Sequence, residues 1–168
     1  MTNQLDLILA QHKNKTVILD TNILLVYLVG RVNPEQIEKF NRTNSRYCAE
    51  DFEVLDNLLS KFTKFATTPN ILTEVSNLGG QLSGDVKVAF FNLLSIFIQE
   101  TNEQYISSSE ISKDMLFVKF GITDRGIFEL VKTEKYLVIT DDRKLAGNLE
   151  NYSINFNNLR DLRAYGVL

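Results

Sequence analysis

The chain has 168 residues, 44% of them hydrophobic and 23% charged, with a formal net charge of -3. That length fits one domain able to bury about 70% of its unfolded surface without staples, and the composition matches a soluble globular protein and argues against disorder. The single cysteine, Cys48, excludes an internal disulfide and a cysteine-cluster zinc site, and the acidic balance excludes non-specific binding of polyanions through a global positive field.

Residues 23–30 and 86–98 are apolar but too short or too interrupted to span a bilayer, and residues 1–11 lack the basic region and cleavage site of a secretory signal. A cytoplasmic location without membrane association is expected. Residues 16–19 form a short β-branched run that ends at Asp20, and a helical pattern over 22–29 follows, which reads as strand, turn, helix. Asn33-Pro34 breaks that helix and opens a polar stretch, 34–50, with Lys39, Arg42 and Arg46. Phe52, Leu55, Leu59 and Phe62 share one face of a helix expected over 51–62.

A second strand is expected over 64–67. Thr68 then caps a helix with Pro69 in its first turn, and Gly79-Gly80 stops it. Residues 85–100 are apolar almost all the way round, including Val86, Phe90, Phe91, Leu94, Phe97 and Ile98. Such a helix is expected to be deeply buried or an interface, and a homodimer is expected, also on grounds of symmetry preference. Tyr105-Ile106 is expected as a third strand, and Ser107 to Glu110 has the spacing of a capping box before a helix that reaches Phe120 and ends at Gly121. Thr123 is expected to cap a helix over 124–132. Residues 136–140 read as a strand closed by Asp141-Asp142, and 152–156 as a last strand before a basic tail with Arg160 and Arg163.

Strands alternating with helices indicate one α/β domain over 1–168 with a mostly parallel central sheet. In such sheets ligands bind beyond the carboxyl ends of the strands, where strand order reverses. Asp20 and Asp142 both occupy strand carboxyl ends.

Four acids interrupt otherwise apolar segments: Asp20, Glu74, Asp124 and Asp142. A buried carboxylate costs several kcal/mol unless something positive meets it, and convergence on one divalent cation accounts for all four. Each also has an ordinary explanation: Asp20 as a helix cap, Glu74 as a solvated rim residue, Asp124 as a first-turn carboxylate answering the helix dipole. Asp141 and Asp142 are adjacent, so only one faces the site directly, and either can serve as a metal ligand. Hard oxygen donors without Cys or suitably placed His select Mg2+ or Mn2+ over zinc. Such ions take substrate phosphates as further ligands, which points to phosphodiester hydrolysis.

Around these acids, Asn22 is placed to orient a water or a phosphate oxygen, Thr140 to hydrogen-bond a ligating carboxylate, and Arg143 and Lys144 to hold a substrate phosphate. Turn, cap and solvated-helix explanations for these four stay open. Arg31, Lys39, Arg42, Arg46, Lys61 and Lys64 form either a basic rim for a polynucleotide or a dispersed charged face. His12 stands without a partner motif and is assigned no chemistry.

The segments I-L-D-T-N at 18–22, T-P-N-I-L-T-E-V at 68–75, G-I-T-D-R-G-I-F-E-L at 121–130 and V-I-T-D-D-R at 138–143 together resemble the PIN domain family, in its motif order and across essentially the whole chain. The resemblance implies a three-layer α/β/α sandwich and a Mg2+- or Mn2+-dependent endoribonuclease site. It places the catalytic, metal-holding acids at Asp20, Glu74, Asp124 and Asp142, and the family's Ser/Thr/Asn position at Asn22. Many members are VapC-type toxins that act on RNA and are held inactive by a small antitoxin, so an antitoxin partner is also implied. Two features depart from that toxin pattern: the stretches 31–50 and 85–100 lengthen the chain, and it is acidic overall.

The main rival is a haloacid-dehalogenase-like phosphohydrolase, which needs a second Asp two residues after the first, where Asn22 stands. A non-enzymatic rival is a catalytically silent RNA-binding protein of the same fold, against which the presence of all four acids speaks.

Overall fold

A computed structural model describes residues 10–132, 135–151 and 156–158. Among the described residues one sheet is formed by β1 (Thr16–Leu19), β2 (Phe65–Thr67), β3 (Asn102–Glu103), β4 (Tyr136–Thr140) and β5 (Phe156–Asn158), in the order β3-β2-β1-β4-β5. Every pairing in it is parallel. The helices are α1 (Thr21–Val32), α2 (Gln36–Lys39), α3 (Ala49–Leu59), α4 (Pro69–Gly79), α5 (Gly84–Glu100), α6 (Ser108–Ile111), α7 (Phe117–Val131) and α8 (Arg143–Asn151).

Right-handed crossovers assign α1 to α5, which connect strands running outward from β1 to β3, to one face of the sheet. They assign α6 to α8, which connect strands running back the other way, to the opposite face. The packing agrees: α1 packs on α4 and α5, whereas α7 packs on α6 and α8. The result is a three-layer α/β/α sandwich.

A strand covered on both faces needs apolar side chains at every position rather than at alternate ones. Val17 and Ile18 of β1 and Leu137, Val138 and Ile139 of β4 accordingly all have no exposed surface. Behind β1, α1 buries Ile23, Leu24, Leu25, Val26, Leu28 and Val29 and stops where the Asn33 N–H bonds the Val29 carbonyl. Thr68 caps α4 by accepting from the Ile71 N–H at 3.3 Å, with Pro69 in the first turn, as expected.

The end of α4 is a close contact. A Cβ on Gly79 would stand 2.0 Å from Cε1 of the fully buried Phe90 ring. Gly79→Ala is therefore expected to destabilise the fold by about 1–3 kcal/mol through overpacking. The check is the urea midpoint, which falls at an unchanged denaturant slope.

Of the two readings of 85–100, deeply buried or an interface, the first needs correction. Phe90 and Leu94 of α5 are buried against the core, while Val88, Ile96 and Ile98 stay exposed. Its apolar residues step around the helix at about 100° each, and only the face turned to α1 and α4 is covered.

The third strand is also displaced, from Tyr105-Ile106 to Asn102–Glu103, which pairs with Ala66 and Thr67, while Tyr105 is 77% exposed. An edge strand needs only its backbone to pair, so polar residues serve and leave no apolar pattern.

The helix expected from Ser107 to Phe120 is broken. Ser107 does cap α6, accepting from the Glu110 N–H at 3.3 Å. The Asp114 carboxylate then accepts from the Leu116 N–H at 2.8 Å, a local turn that ends one helix and restarts the chain as α7. The fully buried Arg125 fastens that turn, its Nη2 donating to Asp114 at 2.7 Å and Glu129 at 2.5 Å while its guanidinium lies 4.4 Å from the Phe128 ring centre. Within α7, Gly121 has φ 74° and ψ -172°, a conformation open essentially to glycine alone. It bends the helix and re-aims the residues after it.

No helix among the described residues is long and apolar enough to cross a membrane. Of the strand expected over 152–156 only Phe156 is described, and the basic tail and residues 1–9 lie outside the described residues.

Candidate active site

Strand order reverses at β1, with β2 on one side and β4 on the other. The carboxyl ends of β1 and β4 therefore flank the crevice in which open α/β sheets bind ligands. Leu19 pairs with Ile139, so the residues that follow, Asp20 and Thr140, end up side by side. The Thr140 hydroxyl donates to one oxygen of Asp20, and the other oxygen accepts from the Ile23 N–H at 2.9 Å. Asp20 is thus the cap of α1 and the floor of the crevice at once, with 4% of its surface exposed.

Thr140 also ties in the second acid from this edge. Its Oγ1 accepts from the Asp142 N–H at 3.0 Å, and the Asp142 carboxylate caps α8 through the Lys144 and Leu145 N–H groups at 2.7 and 3.0 Å.

Asp124 follows the Gly121 bend and is half-buried. Burial pushes its carboxyl up to about 7, with the neighbouring charges of Asp142 and Glu74 adding to the rise. Burial likewise pushes Asp20 up to about 7 against the pull of its hydrogen bonds from Thr140 and Ile23, and the charges of Asp141 and Asp124 raise it further. The charges of the other acids singled out in the sequence are thus felt at Asp20 and Asp124, and the Thr140 hydroxyl joins Asp20 to Asp142 by hydrogen bonds.

Glu74 is exposed, in keeping with its reading as a rim residue and not as an acid on the buried face of its helix. On a helix it lies about 60° from Ile71, at the rim of the buried face. It is nonetheless fixed: Oε2 accepts from the Thr21 hydroxyl at 2.8 Å and Oε1 from the Thr123 hydroxyl at 2.7 Å. Thr123 is therefore not a helix cap but a clamp that joins α7 to α4.

The adjacent acids divide. Asp141 is 2% exposed, is paired with Arg46, Nη2 to Oδ2 at 2.8 Å, and adds its charge to Asp20, while the Asp142 charge acts on Asp124. The Tyr47 hydroxyl lies beside Asp141, and burial together with the Asp141 charge keeps it protonated. Asn22 is half-buried in the first turn of α1, and Arg143 and Lys144 are exposed at the start of α8.

The basic rim resolves into a dispersed face. Arg31 meets Asp56 at 3.6 Å, Lys39 meets Glu35 at 3.1 Å, and Arg42 donates to Gln81 at 2.7 Å. Lys61 and Lys64 are exposed.

Thr21 and Tyr47 went unnoticed in the sequence, and Thr123 and Arg46 stood out there only as a helix cap and a member of the basic rim. Their partners are remote in the chain, and a hydroxyl or a guanidinium in a polar stretch carries no periodicity that announces one.

Among the described residues no three acids stand in the geometry of a formed metal cage. The donor set nevertheless fits a hard cation: it is all carboxylate, without thiolate or imidazole, and its charges repel one another. No protein-family model matches the chain, and neither does any curated protein.

Proposed function

We propose that this chain is a Mg2+- or Mn2+-dependent endoribonuclease of the PIN type, hydrolysing RNA phosphodiester bonds at the crevice between β1 and β4. The observation that carries the proposal is the hydrogen-bonded frame at the switch point of the sheet: Thr140 joins Asp20 to Asp142, and Glu74 is held by Thr21 and Thr123, the chain neighbours of Asp20 and Asp124. What a bound divalent cation supplies in such a site is a polarised phosphoryl oxygen and a water made nucleophilic at neutral pH.

The chain's own groups prepare that site. Thr140 and the Ile23 N–H orient Asp20, Thr21 and Thr123 orient Glu74, and capping of α8 orients Asp142. Arg143 and Lys144 offer positive charge to the phosphates beside these acids, and Asn22 offers an amide to a water or phosphate oxygen. A covalent aspartyl-phosphate route finds less support, because both oxygens of the buried Asp20 already accept hydrogen bonds and Asn22 stands where that chemistry needs an acid.

The test is cleavage of a mixed single-stranded RNA pool with Mg2+ or Mn2+. Cutting should stop with EDTA and in Asp20→Asn, and cutting that survives both overturns the proposal. Thr140→Val removes the hydroxyl that joins Asp20 to Asp142 while keeping the shape of the side chain. It is expected to lower the cleavage rate about 10- to 100-fold, as measured by initial rates at saturating Mn2+.

A further inference from the structure

We infer that the groove between the first part of α7 and α8 carries the single strand of RNA next to the cleavage site, with Phe120 as a stacking platform for a base. Lys119, Arg143 and Lys144 are then its phosphate contacts. This assignment rests on the nuclease proposal above and deepens it.

The groove has a volume of about 640 Å³ and is lined by Lys119, Phe120, Arg143, Lys144, Asn148 and the exposed Glu150, three cations to one carboxylate. That is room for a ligand of drug size, and so for a nucleotide. Gly147 leaves its floor open, since a Cβ built there meets nothing within 4 Å. None of the four acids lines the groove, but its walls lead to them along the chain. Arg143 and Lys144 directly follow Asp142, and Lys119 and Phe120 directly precede the Gly121 bend that presents Asp124.

Charge points the same way. The chain is acidic overall, and Arg31, Lys39, Arg46, Lys113, Arg125 and Lys132 are each in an ion pair. Lys119, Arg143 and Lys144 form none among the described residues and are exposed around this groove, while Lys13, Lys15, Lys64 and Lys135, also without an ion pair, line a second groove by the amino ends of β1, β2 and β4, the end of the sheet away from Asp20. The Lys119 ammonium stands 5.0 Å from the centre of the half-buried Phe120 ring. A cation set beside an aromatic face on a groove wall is the pairing that single-stranded nucleic acid uses, phosphate on the charge and base on the ring. Stacking of this kind tolerates any base, so the groove selects single strands rather than a sequence.

Binding is measured by fluorescence anisotropy with a short labelled single-stranded RNA, in an Asp20→Asn background that leaves the strand uncut. Phe120→Leu keeps an apolar side chain but no ring, and should weaken binding about 10-fold or more, whereas Phe120→Trp should hold it. Arg143→Gln and Lys119→Gln should each flatten the dependence of log affinity on log salt by about 0.7.

Phe120→Leu and Phe120→Trp both binding like the parent overturns the assignment, as does displacement of the RNA by polyglutamate at lower concentration than by unlabelled RNA. The two proposals fail separately. A chain with Asp20 intact that never cuts RNA, yet loses binding on Phe120→Leu, sinks the nuclease and keeps the groove. A chain that cuts RNA and is indifferent to Phe120→Leu does the reverse.

Discussion

Asp20→Asn is expected to lower RNA cleavage by about 10³-fold or more while the protein stays folded. The substitution keeps the size and shape of the side chain and removes its charge. An Asn oxygen still accepts from the Ile23 N–H to cap α1, and its amide N–H then donates to the Thr140 hydroxyl, reversing the bond made there by Asp20. What disappears is the buried negative charge at the crevice floor, the one against which the other acids are set. Losing a preorganised electrostatic group at a reacting centre typically costs 10²–10³ in kcat, and a group that also holds the cation belongs at or beyond the upper end. The loss should fall on kcat, because Arg143, Lys144 and the groove beside α7 still hold the strand. Single-turnover rates and circular dichroism, measured together, check both halves. A mutant that cuts within a few-fold of the parent removes Asp20 from the chemistry.

The same buried charges make a second prediction for the metal-free protein. Asp20 and Asp124 each rise from an ordinary 3.8 to about 7 on folding. Between those values the folded state holds protons that the unfolded state has released. Stability therefore falls as pH rises through that window, is greatest near its acidic end, and levels off above about 7. For Asp20, which is almost wholly buried, the change across the window is on the order of 4 kcal/mol. Asp124 is partly exposed and adds a smaller share in the same direction.

Urea unfolding in EDTA across this range should show the decline, and Asp20→Asn should flatten most of it. Mn2+ should restore stability on the alkaline side, since a ligand that binds only the native state stabilises it by mass action. Stability that rises across the window, or an unchanged slope in Asp20→Asn, contradicts the burial of these charges.

The fold and the four acids were legible for one reason: each left a contrast against its surroundings. The apolar runs that became β1 and β4 end abruptly in Asp20 and Asp141-Asp142, and a parallel sheet buried on both faces permits no polar residue within such a run. Thr68-Pro69 and Gly79-Gly80 punctuate α4 through backbone chemistry that acts locally and needs no tertiary context.

What stayed hidden depends on partners elsewhere in the chain. The strand at Asn102–Glu103 is made by pairing with β2 and is polar. The break after α6 comes from the Asp114 turn and from Arg125, whose burial no local pattern announces. Glu74 interrupts an apolar segment, but nothing local announces the two threonine hydroxyls from α1 and α7 that hold it at the rim. Which member of the pair Asp141-Asp142 faces the other acids was open in the sequence. Arg46 takes up Asp141, from a stretch that had shown only a spread of basic residues.

The most direct measurement is Mn2+ binding to the EDTA-stripped protein near pH 7, by calorimetry in buffers of different ionisation enthalpy. With Asp20 and Asp124 titrating near that pH, binding should release protons, and it should be lost in Asp20→Asn and much weakened in Asp124→Asn. Mn2+ that binds both mutants as it binds the parent, or no binding by the parent at all, would show that these acids share a crevice without sharing a cation.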